Sequence, residues 1–194
     1  MINITIGCDE VGLGALAGPL VVAAVALRDD HVMPGVRDSK TIKSFDRRDE
    51  LALEISCSAP FVVVAGSSSR LIDADGISCC KRACMRQCLE YAVARFPRAR
   101  VVIDGNDPVP GLRNVELLPK ADQLVHAVSA ASIVAKAFRD SIMRQLSHDH
   151  PEYDWWSNFG YGTVTHLRAL QNIGPCKHHR FSYSPVIRAA NRCQ

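Results

Sequence analysis

No apolar run in this 194-residue sequence reaches the roughly 18 to 20 residues that a membrane-spanning helix needs. The longest, Leu20 to Leu27, has the length of a strand, so no membrane association is expected. The first residues lack a basic segment followed by an apolar one, which argues against a secretory leader and for the cytoplasm. Charge of one sign is also scarce. With 23 Lys and Arg against 20 Asp and Glu, the formal net charge is only +3. That excludes a global polycation argument for nucleic acid and leaves the case to local basic clusters. Internal repeats and low-complexity linkers are absent, and 194 residues fit one domain, 1–194, with a sizeable core.

Cysteine is plentiful, but its usual metal-binding signatures are missing. The chain has eight cysteines and no Cys-x-x-Cys pair, and no histidine at zinc spacing accompanies the cluster Cys80, Cys84 and Cys88. Cys80, Cys84 and Cys88 fall at i, i+4 and i+8, on one face of a helix predicted from Ile77 to Phe96, with Ala83, Tyr91 and Ala92 continuing that face. Stacked thiols of this kind are either a metal or redox site or a stripe of small buried hydrophobes, the reading favoured here. A reducing compartment suits them.

Apolar patterning predicts strands over Ile2–Cys8, Leu20–Leu27, Phe61–Ala65, Val101–Asp104 and Val115–Leu118. Helices are predicted over Ser44–Cys57, with Ser44 as N-cap, and over Ile77–Phe96, Leu124–Gln145 and Val164–Ile173. Early strands and late helices, with one helix-linked crossover between Phe61 and Val101, fit an α/β fold with helices packed on a mixed sheet.

The chemistry is concentrated at strand ends. Gly7-Cys8-Asp9-Glu10-Val11-Gly12-Leu13-Gly14 puts two adjacent carboxylates where the first strand gives way to a glycine-rich turn. Neighbouring side chains on a strand point to opposite faces, so Asp9 and Glu10 share a site only if the chain bends there. Such a pair is costly unless a cation neutralises it, and Mg²⁺ or Mn²⁺ takes oxygen ligands. Val101-Val102-Ile103-Asp104-Gly105 repeats the arrangement. Asp104 is either a turn residue, as Asp107-Pro108 reads, or a ligand converging with the first pair. Asp122, just before a helix rich in small residues, either favours that helix's N-terminus or adds a fourth oxygen. Lys136 and Asp140 are spaced for an i, i+4 pair. Three or four carboxylates without a Ser-His or Cys-His pattern point to two-metal hydrolysis of a phosphodiester.

The C-terminal third supplies groups suited to nucleic acid. Tyr161 lies between Gly160 and Gly162, placed either for a base or sugar to lie against its ring or for tucking onto the core. Lys177, His178, His179 and Arg180 form a basic run that holds phosphates or is simply solvated. Asp38-Ser39-Lys40, with Lys43, Arg47 and Arg48, forms a second basic cluster.

Taken together, these segments resemble ribonuclease HII, the type 2 ribonuclease H family, from about Gly7 to Val186 and in the family's order. The resemblance is carried by Asp9-Glu10-Val11-Gly12-Leu13-Gly14 with Ala17-Gly18-Pro19, then Asp38-Ser39-Lys40, Asp104-Gly105 and Lys120-Ala121-Asp122. Ala130 to Lys136 with Arg139-Asp140, Gly160-Tyr161-Gly162-Thr163 with His166, and His179-Arg180 through Ser182 and Pro185 complete it. It implies a ribonuclease H-like mixed β-sheet flanked by α-helices in a single domain. The activity implied is hydrolysis of RNA hybridised to DNA or embedded in it, 5′ of a ribonucleotide, with Mg²⁺ or Mn²⁺, leaving 3′-hydroxyl and 5′-phosphate ends. By position, Asp9, Glu10, Asp104 and Asp122 would be the catalytic, metal-holding carboxylates. Gly12, Leu13 and Gly14 would hold the 2′-hydroxyl region through backbone atoms, and Tyr161 would lie against the sugar at the RNA–DNA junction. Lys40, Lys43, His179 and Arg180 would meet phosphates, and a monomer suffices.

Three positions depart from the family pattern. Leu13 stands where arginine is usual, removing a charge and up to five donors, and Phe181 and Tyr183 replace arginine and phenylalanine. A hybrid-binding protein with decayed catalysis is the alternative that Leu13 favours and the four acids oppose. The related ribonuclease HIII usually carries an extra N-terminal domain, for which an acid pair at residue 9 leaves no room.

Overall fold

The computed structural model describes residues 3–36, 42 and 44–192. Five strands, β1 (Ile4–Val11), β2 (Leu20–Arg28), β3 (Phe61–Ser67), β4 (Arg100–Asp104) and β5 (Val115–Leu118), form one sheet in the order β3-β2-β1-β4-β5. The eight α-helices among the described residues are α1 (Phe45–Ser58), α2 (Ser69–Asp75), α3 (Ile77–Arg95), α4 (Ala121–Leu124), α5 (His126–Asp149), α6 (Trp155–Asn158), α7 (Val164–Ile173) and α8 (Ser184–Ala190), with a short 3-10 helix over Pro151–Tyr153. The sheet is mixed: β1 runs antiparallel to β2 and parallel to β4, and β4 parallel to β5. A mixed sheet flanked by helices is the fold class the sequence predicts.

Contacts divide the chain into two compact units. The first comprises the chain up to Val11, Val21–Gly66 and Lys81–Ala137. Its layering follows from the two-residue period of the strands. Val21, Ala23, Val25 and Leu27 pack with Leu51 and Ile55 of α1 and with Ala130, Ala131 and Ile133 of α5. Ile6, Cys8, Val22, Ala24 and Ala26 pack on the other face with Cys84, Met85, Cys88 and Leu89 of α3. The cysteine stripe is therefore core, as favoured, and burial pushes the Cys88 thiol up to about 12, so it stays protonated. Ala92 continues that face as expected, whereas Ala83 and Tyr91 fall outside it and are exposed; Met85 and Leu89 take inward positions instead.

Gly7 explains how closely α5 approaches the sheet. A Cβ there would run into the backbone of Ala127 and Val128, so only glycine lets the helix start lie directly on β1. The predicted helix at Leu124 is broken in the structure. Asp122 belongs to the short α4, and Val125 is extended (φ −120°, ψ 115°) before α5 begins.

The second unit comprises Gly12–Leu20, Ser67–Cys80 and the chain from Phe138 onward. Leu16, Ala17, Met143, Tyr153, Trp155, Phe159, Leu170 and Val186 form its core. Thr163 caps α7 by accepting from the N–H of His166, as its sequence position allows.

Candidate active site

The parallel register sets the site in the first unit. The last Cα partners of β1 and β4 are Cys8 and Ile103, so the next residue on each strand is an acid, Asp9 and Asp104. Adjacent strands lie about 4.8 Å apart, and residues in register share a face. Asp9 and Asp104 thus stand side by side at the carboxyl ends of two central strands, where α/β sheets bind their ligands. Both lie on the α5 face: Asp9 accepts from the Ser132 hydroxyl of α5, and Val102, two residues before Asp104, packs on Ala121 and Val128.

Asp104 also organises the next acid. Its Oδ1 accepts from the backbone N–H of Ala121 at 2.7 Å. Lys120, the residue preceding α4, sits in the left-handed region (φ 59°) and offers no side-chain cap, so a neighbouring strand's carboxylate satisfies that helix start. This holds buried Asp122 on α4, whose backbone carbonyl accepts from the Ser129 hydroxyl.

Glu10 goes the other way. β1 remains extended and paired with β2 through Val11, so there is no bend at the acid pair and Glu10 projects to the α3 face. There its Oε1 lies 3.5 Å from Lys81 Nζ, and its Oε2 is buried without a hydrogen-bond partner among the described residues. Lys81, absent from the sequence expectations, was signalled by its spacing: at i, i+3 and i+7 with Cys84 and Cys88 it is a cation on the apolar stripe.

The acids share their charge across this sheet end. Burial, with the neighbouring Glu10 and Asp104 carboxylates, pushes Asp9 up from 3.8 to about 7, against hydrogen bonds from Ser132 and the Glu10 N–H. Burial raises Glu10 as well, with Asp104 adding to it and Lys81 opposing it. A buried group of anions with an orphaned oxygen and only oxygen donors fits a hard divalent cation. Among the described residues, no three Asp, Glu, His or Cys side chains are grouped closely enough to hold one ion. Mg²⁺ sites on phosphate substrates commonly use one or two carboxylates, with water and phosphate oxygens completing the shell, so pairs of acids suffice.

The remaining expected residues belong to the second unit or lie outside the described residues. Lys40 and Lys43 lie outside them. Gly12 has φ +96°, and a Cβ there would strike the Arg139 side chain, so the turn after the acid pair requires glycine. Leu13 is exposed, and its carbonyl accepts from Arg180 Nη1 (3.0 Å) and the Tyr183 hydroxyl (2.6 Å). Tyr161 is half-buried, with the Arg139 guanidinium 5.3 Å from its ring centroid. Fully buried Arg139 donates to the carbonyls of Pro19, Phe159 and Ala17 at 2.8, 2.9 and 3.1 Å.

His179 and Arg180 depart from the expectation of direct phosphate contact. Both are buried. Arg180 spends its donors on the carbonyls of Gly18 and Leu13 and on Tyr183, which leaves it holding the glycine-rich segment. His179 Nε2 lies 3.0 Å from His166 Nε2, and burial followed by the His166 charge lowers it to about 3, so it is a neutral core imidazole. Asp73, also missed, fixes the segment that follows by accepting from the N–H groups of Phe181 and Ser182.

Comparison with known proteins identifies the family. The sequence profile of ribonuclease HII matches residues 6–186. The chain belongs to the ribonuclease HII family. It is 38% identical to ribonuclease HII of Rhodopseudomonas palustris over 188 residues, 97% of this chain and 69% of that one. It is 42% identical to ribonuclease HII of Cereibacter sphaeroides, over 93% of this chain and 84% of that one. In structure it is similar to ribonuclease HII from Archaeoglobus fulgidus, solved in complex with PCNA (TM-score 0.70, 30% identity, 86% and 85% covered). The ribonuclease HIII designated Bst-RNase HIII, solved in complex with Mn²⁺, shares the fold with TM-score 0.78 at 22% identity, covering 98% of this chain and 71% of that one. As a family member the chain is a ribonuclease H endonuclease that acts on nucleic acid with divalent-metal dependence. None of the helices among the described residues is long and apolar enough to cross a membrane.

Proposed function

We propose that this ribonuclease H cuts the RNA strand of RNA–DNA hybrids and cuts 5′ of single ribonucleotides in duplex DNA, leaving 3′-hydroxyl and 5′-phosphate ends. Its work would be removal of ribonucleotides and RNA primers from DNA in the cytoplasm, as a monomer. The observation that carries the reading is the pair Asp9 and Asp104, in register at the ends of adjacent parallel strands in a ribonuclease HII chain.

Asp9, Glu10, Asp104 and Asp122 would hold Mg²⁺ or Mn²⁺, two ions in the active complex. When bound, such ions activate water and stabilise the leaving 3′-oxygen. The protein's own share is positioning. Ser132 orients Asp9, the Ala121 N–H orients Asp104, and α4 presents Asp122. Gly12, Leu13 and Gly14, directly after the acid pair in sequence, meet the 2′-hydroxyl region through main-chain atoms, which tolerates Leu13 in place of arginine. The Arg180 and Tyr183 contacts to the Leu13 carbonyl support that segment. Tyr161, one face covered by Arg139, offers its ring to the sugar. His179 and Arg180 are positioning residues here.

The test is cleavage of a duplex containing one ribonucleotide, with Mg²⁺ or Mn²⁺, beside an all-DNA control. A single nick 5′ of the ribonucleotide is expected, lost in Asp104→Asn with the fold intact. Binding without any nick would instead indicate a hybrid-binding protein.

A further inference from the structure

Lys81 of α3 reaches Glu10 from the face opposite α5. Its Nζ lies 3.5 Å from Glu10 Oε1 and 3.8 Å from Asp107 Oδ2, with only 12% of its side chain and 13% of that of Glu10 exposed. Asp107 is also held by Arg82 at 3.2 Å, so its charge is shared with a second cation. Cys8, protonated by burial, completes the surroundings on β1. The ammonium therefore sits with its charge directed mainly at Glu10.

We propose that Lys81 is a built-in competitor for the divalent cation at Glu10, occupying one carboxylate oxygen and weakening metal binding on that side of the site. This rests on the proposed metal role of the acids. The physics is charge balance. An ammonium on a largely buried carboxylate supplies part of the neutralisation that a divalent ion would otherwise supply, and it repels that ion at close range in a medium of reduced dielectric. A lysine is suited to such a role because its flexible stem lets the ammonium swing aside, whereas a fixed guanidinium fork would not. The consequence is graded metal affinity. An ion bound through Asp9 and Asp104, on the α5 face, is little affected by Lys81, while an ion using Glu10 must displace the ammonium and binds more weakly. Glu10's second oxygen, buried and without a hydrogen-bond partner among the described residues, is the atom left for that ion.

The experiment is Mn²⁺ titration of the protein without nucleic acid, by calorimetry and by electron paramagnetic resonance of free Mn²⁺. Lys81→Met, which keeps the stem's length without its charge, is expected to bind the weaker equivalent of Mn²⁺ at least tenfold more tightly than the unsubstituted chain. Lys81→Arg keeps the charge on a less mobile group and is expected to bind that equivalent no more tightly than the unsubstituted chain. Lys81→Gln serves as the second neutral variant should Lys81→Met unfold. In a Glu10→Gln background the gain from removing Lys81 is expected to vanish. Unchanged or weaker Mn²⁺ binding in folded neutral variants would overturn the proposal, weaker binding marking Lys81 as a strut that merely orients Glu10. Failure of the underlying metal reading looks different: the unsubstituted chain and Asp9→Asn would then titrate identically.

Discussion

Replacing Asp9 by asparagine should stabilise the metal-free protein while abolishing its metal-dependent activity. Asp9 is raised from 3.8 to about 7 because its charge is buried beside two other carboxylates. A folded-state value above the unfolded one means the folded protein binds more protons between pH 4 and 7. The contribution is therefore fully present below about pH 4 and lost as pH rises through 7. Roughly three pK units at about 1.4 kcal/mol each set an upper bound near 4 kcal/mol for the cost of ionised Asp9 above pH 7. Asparagine does not titrate and its oxygen can still accept from Ser132 and from the Glu10 N–H, so it stands in for the protonated carboxyl and leaves the pH-dependent part intact. Urea unfolding in excess EDTA measures this directly. The stability difference between Asp9→Asn and the unsubstituted chain should grow from near zero at pH 4 to as much as about 4 kcal/mol at pH 8. Saturating Mn²⁺ should reverse its sign, since only the carboxylate gains from the ion. An Asp9→Asn protein less stable than its parent at pH 8 in EDTA would refute the reasoning.

The second unit should respond to acid in the opposite sense. His179 is lowered from 6.5 to about 3, so the unfolded chain takes up the proton first, and stability is lost as pH falls below 6.5. Relative to His179→Gln, the unsubstituted chain should lose about 2 kcal/mol between pH 6.5 and 5.0, from 1.5 units at about 1.4 kcal/mol each; parallel pH profiles would show that the buried imidazole is not the titrating group. Arg139→Lys should cost about 3 kcal/mol or more in urea unfolding, because a single ammonium cannot satisfy the carbonyls of Pro19, Phe159 and Ala17 together, and an unchanged midpoint would contradict that reading. Gly7→Ala should cost at least about 3 kcal/mol, since the obstructing atoms are α5 backbone rather than mobile side chain; a loss below 1 kcal/mol would mean the helix can retreat from β1.

Much of this arrangement was legible because the relevant signals are local. Phe45–Ser58 follows its Ser44 cap, Val164–Ile173 falls where a helix was predicted, and each strand follows an apolar run. The family motifs placed four acids in sequence, and the β1–β4 register placed Asp104 next to Asp9. What local patterns do not encode is direction. The bend expected between Asp9 and Glu10 is absent because β2 pairs with β1 through Val11, which sends the two acids to opposite faces. His179 and Arg180 read as a solvent-facing basic run, yet tertiary contacts with Gly18, Leu13 and His166 draw both into the interior. The boundary at Val125 was hidden because Asp122 to Gln145 has continuous helical composition, and the break is imposed where α5 settles on Gly7.

The most direct measurement of the central claim is anomalous scattering from crystals grown with Mn²⁺ and a duplex carrying one ribonucleotide. Peaks in contact with Asp9 and Asp104, and with Glu10 or Asp122, are predicted beside the phosphate 5′ of the ribonucleotide. Peaks confined to other residues, with those four acids left bare, would contradict it.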